Sequence, residues 1–170
     1  MIRPMIEVLA LSTVNGLPAH ILLNHVVVVL GPLAAILAVL CAVWPAARRR
    51  LIWQVLLLAA GTLVAVPLTT DSGGWLAARV GDSPALNLHA GYGDTLIYFV
   101  GALVAAVALL AAVHVRQRRG ARIPVAVHVV VGVLVLATAG GTLYRTYLVG
   151  DSGARAAWGD VPSTVKSSAP

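Results

Sequence analysis

Apolar residues in this chain do not alternate with polar ones. They gather into four long blocks, at about residues 21–44, 51–70, 95–115 and 123–149. Each block is rich in Leu, Val and Ala, and none holds an acid away from its ends. A helix needs roughly 20 apolar residues to cross the hydrocarbon core of a bilayer, so each block is long enough to span. Valine runs such as Val26 to Val29 and Val129 to Val131 would favour strands in water. In hydrocarbon the backbone must satisfy its own hydrogen bonds within each segment, and block length overrides that propensity. The pattern predicts an all-α integral membrane four-helix bundle, one domain over residues 1–170. Residues 1–20 form an outer N-terminal segment and 150–170 an outer tail. Met5 to Leu11 reads as a short interfacial helix.

Polar positions then orient the spans. The link between the first two blocks carries Arg48, Arg49 and Arg50, and the link between the last two carries Arg116, Arg118, Arg119 and Arg122. These links hold seven of the 12 basic residues, and all six acids lie elsewhere. Basic residues in short loops face the cytoplasm, which places 45–50 and 116–122 inside and both termini outside. The expected location is a bacterial inner membrane. Hydrophobic content of 59%, charged content of 11% and mean hydropathy of +0.92 agree with a lipid-embedded chain. The net charge of +6 is accounted for by arginines at an anionic lipid surface, with no nucleic-acid partner needed. The expected partners are the bilayer and either other membrane proteins or a second copy in a homodimer.

The two halves resemble each other. Gly31 through Arg50 aligns without gaps on Gly101 through Gly120, an offset of 70. Gly61-Thr62-Leu63 matches Gly141-Thr142-Leu143, and Asp71-Ser72-Gly73 matches Asp151-Ser152-Gly153, both at an offset of 80. The chain thus reads as two tandem helical hairpins. Because each unit has an even number of spans, the pseudo-two-fold axis runs along the membrane normal.

Candidate chemistry rests on histidine, a common metal and haem ligand. His20, His25 and His89 fall near the outer ends of the spans, and His114 and His128 near the inner ends. His20 shares a helical face with Asn24. At ~100° per residue, His25 points about 140° away from His20. His20 and His89 occupy equivalent places in the two halves and form the better cross-axis pair. His20, His25, His89 and Arg145 are therefore the candidate cofactor-binding set, and His20, His89, Asp94 and Asp151 the candidate metal set. The cofactor would be haem b or a divalent metal ion. Arg145 either snorkels outward or pairs with Asp71, Asp94, Asp151 or an anionic ligand group. The Asp-Ser-Gly motifs lack the base and oxyanion hole of a serine hydrolase, and their glycines read as helix exits. Cys41 stands alone mid-span, which excludes an internal disulfide.

The segment Gly16-Leu17-Pro18-Ala19-His20 with His25 resembles the opening of a bacterial membrane family, domain of unknown function 2231. His89-Ala90-Gly91-Tyr92-Gly93-Asp94 and the stretch Gly150 to Trp158 are similar to two of its later motifs. The resemblance implies four membrane helices and an outward polar cluster, and no activity. Asp151 stands where that family's closing motif has histidine, a carboxylate in place of a nitrogen donor. Together the residues predict a non-enzymatic membrane subunit or scaffold with a polar His/Asp cluster. The alternative is a haem- or metal-binding electron-transfer protein using His20 and His89.

Overall fold

The computed structural model describes residues 13–14 and 16–159, which form four helices and one small antiparallel turn. The turn pairs Thr13–Val14 (β1) with Leu17–Pro18 (β2) around Gly16, whose positive φ of 80° suits glycine. Helix α1 spans Ala19–Val43, α2 Pro45–Val80, α3 Pro84–Arg118 and α4 Val125–Trp158. All four are long and apolar enough to cross a membrane. The interfacial helix expected at Met5 to Leu11, and the tail beyond Gly159, lie outside the described residues.

Three helices run well past the apolar blocks. At 36 residues α2 is about 54 Å long, against a hydrocarbon core of about 30 Å. The expected outer loop between residues 71 and 94 shrinks to Gly81, Asp82 and Ser83. Gly81, at φ 92°, stops α2, and Ser83 Oγ accepts the Leu86 N–H to start α3 above Pro84. Reading Gly73 and Gly153 as helix exits is therefore corrected: both are interior helical residues.

The helices pack in a ring, α1 on α2, α2 on α3, α3 on α4 and α4 on α1, with α1 and α3 diagonal. Small side chains fill the middle. Ala34, Ala35, Ala38 and Cys41 of α1 meet Ile52, Val55 and Ala59 of α2, Leu103 and Val107 of α3, and Val135 and Ala139 of α4. Close backbone approach through small residues is how helices associate in lipid, where no water drives them together. Leu57, Val64, Tyr98, Val129 and Val130 stay exposed around the outside, as a lipid-facing surface requires. Thr62 and Thr142, nearly or fully buried, return their hydroxyl protons to the carbonyls of Leu58 and Thr138 one turn back, so neither leaves an unmet donor.

Candidate functional site

His20 lies at the start of α1, and its Nδ1–H donates to the Thr69 carbonyl of α2 at 2.9 Å. His89 lies in the second turn of α3, and its Nδ1–H donates to the Val149 carbonyl of α4 at 3.1 Å, with Ser152 Oγ at 3.2 Å. Each imidazole thus ties the two helices of its own hairpin. Room for the rings comes from glycine. A Cβ on Gly73 would sit 2.9 Å from the His20 ring, and one on Gly153 would sit 3.0 Å from the His89 ring. The first distance is shorter than packed carbons tolerate and the second is tight enough that the ring would have to give way, so both glycines leave room for a histidine.

The two rings then meet across the bundle, centres 6.2 Å apart and planes at 82°. Donation through Nδ1 puts the proton there in the neutral ring and leaves the Nε2 lone pair free. Among the described residues neither Nε2 has a hydrogen-bond partner. Both rings line a cavity of about 220 Å³ between α1, α2 and α3, with Val149 of α4 also in its lining. Asn24 and Asp94 share its wall, and Gly73, Gly74, Ala77, Ala90 and Gly93 keep that wall low.

The other predicted residues go elsewhere. His25 bonds the Ile21 carbonyl of its own helix and is exposed. Asp151 forms a bidentate pair with Arg155 one turn on, at 2.9 and 3.2 Å. Arg145 pairs with none of Asp71, Asp94 or Asp151. Its guanidinium donates to Thr95 Oγ and the Gly91 carbonyl and lies 4.7 Å over the Tyr92 ring, clamping α4 to α3. Its Nε is buried without a partner. Of the predicted set, the structure brings together His20 and His89, with Asp94 on the same cavity wall. Among the described residues no group of three or more His, Cys, Asp or Glu side chains is placed to hold a metal ion.

Sequence reasoning passed over the carbonyls of Thr69 and Val149 and the packing role of Gly73 and Gly153. The signal was present in the recurrence of Asp-Ser-Gly at an offset of 80, one copy in each half. At the opposite end, His128 accepts from the Gln117 amide at 2.6 Å, while His114 is buried beside Arg48 and Arg118. No family model, curated protein or solved structure matches the chain.

Proposed function

We propose that the chain is a multi-pass protein of a bacterial inner membrane whose two hairpin repeats hold a transition-metal centre between His20 and His89. The arginine corners lie in the cytoplasm and the histidine pair near the outer surface, following the basic-loop rule. The repeat reading draws support from parallel contacts: each half supplies one histidine, one carbonyl and one glycine to the same arrangement, with Gly73 and Gly153 an offset of 80 apart. The resemblance to the domain of unknown function 2231 family is part of the same proposal.

The observation that carries the metal reading is two imidazoles facing one space with Nδ1 already committed. Metal-ligating histidines are held in this way, the second nitrogen fixed by a carbonyl so that ring orientation and tautomer are set beforehand. His20 and His89 would be the two residues that hold the ion, and their edge-to-face spacing also falls within the range of about 4.5–7 Å that ring pairs adopt without one. The pair stands at 6.2 Å. Two protein nitrogens suit either a haem iron, whose macrocycle supplies the other donors, or an ion completed by water. The cavity, about 220 Å³, favours the ion with its waters. Pockets for organic ligands run from about 300 to 1,000 Å³. A porphyrin would require α2 and α3 to part along their glycine-lined wall. A redox-active metal there would serve one-electron transfer beside the outer surface; Asp94 would balance its charge.

The same bonds support a second reading, a non-enzymatic scaffold whose histidines act as struts within each hairpin. Metal analysis and an absorption spectrum of the purified protein, beside His20→Ala/His89→Ala, separate the two. The metal reading expects near-stoichiometric metal or a Soret band, lost in the variant. A colourless, metal-free and folded protein, unable to take up added copper, zinc or haem, establishes the scaffold.

A further inference from the structure

At the arginine end of the bundle, opposite the histidine pair, a second cavity is lined by Pro45, Arg48, Arg49, His114, Gln117 and Arg118. Its chemistry is unbalanced. As whole residues Arg48 is only 8% exposed and His114 only 5%, and among the described residues neither side chain has a hydrogen-bond or ion-pair partner, while their nitrogens keep contact with the open side of the cavity. No acid lies in either arginine link, so no carboxylate stands by to neutralise the cluster. Helix α2 also begins at this cavity, with no side-chain cap and no acid in its first turn. Its first N–H groups add to the field of the guanidiniums, while α1 and α3 both end at this corner and bring the negative ends of their dipoles, so the positive excess rests on the arginines themselves. A buried guanidinium is costly unless a counter-charge meets it. Two elements of different hairpins supply the wall: the α1–α2 corner gives Pro45, Arg48 and Arg49, and the end of α3 gives His114, Gln117 and Arg118.

We propose that this cavity binds a phosphate group, most readily the headgroup of an anionic phospholipid, and that the bound phosphate joins the two hairpins. Arg48 is the central ligand, because its fork matches two phosphate oxygens at once and it is already fixed by burial. Arg49 and Arg118 reach the same group from the rim. His114 donates an N–H from below. Exposed Trp44 and Trp53 beside the corner hold the cavity at the lipid headgroup level, where such a ligand is supplied by the bilayer itself. Arg119 and Arg122 carry the same charge nearby but do not line the cavity. The site is independent of the histidine pair.

The test uses the full chain, delipidated in neutral detergent and titrated with phosphatidylglycerol or phosphatidylcholine in mixed micelles. Binding is read from the rise in melting temperature and from retained lipid by native mass spectrometry. Phosphatidylglycerol should bind at about one site and phosphatidylcholine should not. Arg48→Gln/Arg118→Gln should weaken that binding about 30-fold, as loss of two basic groups at an anionic surface predicts. Arg119→Gln/Arg122→Gln removes equal charge and should leave the site within about twofold. If Arg48→Gln prevents folding, the single change Arg118→Gln at an exposed residue should still cost about fivefold. Inorganic phosphate, titrated at constant ionic strength, distinguishes the source: stabilisation by phosphate without lipid binding supports the same site with a soluble phosphate ligand. Equal weakening by both double variants would overturn the proposal in favour of diffuse attraction. Failure of both lipid and phosphate to bind the wild-type chain would overturn it outright.

Discussion

The two ends of this bundle solve the problem of polar groups near lipid in opposite ways. At the histidine end the polar side chains find specific partners within the protein. His20 and His89 donate to carbonyls, Asp151 holds Arg155, and Arg145 grips Thr95, Gly91 and Tyr92. At the arginine end Arg48 and His114 are buried without such partners, and Arg49 and Arg118 add charge beside them. The bonds at Nδ1 fix how the two imidazoles lie, with ring centres 6.2 Å apart, although Arg145 Nε at the same end stays buried without a partner. An open set of charges defines affinity, so the arginine end calls for an anion from outside the chain. Both arrangements depend on the helices extending beyond the apolar blocks, because His89, Ser152 and Gly153 lie on extensions at one end and Arg48, Gln117 and Arg118 on extensions at the other.

The sharpest way to break this contrast is to place its ends on the wrong sides of the membrane. In a Cys41→Ala background, Arg119→Cys should resist an impermeant maleimide in intact cells, whereas Asp82→Cys should label fully. Reversal of that all-or-none pattern would move the histidine pair to the cytoplasm. Next in size are the glycines. Gly73→Ala and Gly153→Ala each force a methyl against an imidazole and should cost about 1–3 kcal/mol, read as detergent melting. Gly61→Ala meets nothing within 4 Å and should gain up to about 1 kcal/mol, as alanine does in a helix. Equal behaviour at all three positions would remove the histidine-holding role.

Arg145→Ala should cost about 1–3 kcal/mol through loss of charged hydrogen bonds to α3. Arg145→Lys should recover only part of that, lacking the fork that spans Thr95 and Gly91. A neutral result for Arg145→Ala would mean that its contacts do not hold α3 to α4. Smallest is Arg155→Ala. Its partner Asp151 is on the surface one turn away, and such pairs contribute little. No resolvable change in melting is expected, and a large loss would show that Asp151 reaches another group.

Much of the architecture was legible because block length alone identifies a span. The nearness of the His20 and His89 rings was expected as well, from the equivalent places that the repeat reading gives them. The ends of the helices were not. Hydropathy reports apolar length, and it falls silent where α2 and α4 stay helical past their apolar blocks, through Val80 and Trp158. Nor does a glycine announce its use: Gly73 suits a helix exit and a histidine seat equally well until His20 is seen against it. Arg145 was open for a similar reason, since Thr95 and Tyr92 offer it as much as any acid and only packing decides between them. Burial of Arg48 depends on how α3 ends beside the α1–α2 corner, a matter of tertiary placement.

The central claim is that two imidazoles, one from each hairpin, grip the same metal. X-ray absorption at the metal edge, on protein loaded with copper or zinc, counts the imidazoles directly. The account predicts two per metal in the wild-type chain and one in either His20→Ala or His89→Ala, with affinity reduced in each. A metal bound with unchanged affinity and imidazole count in both single variants, or no metal bound at all, would contradict it.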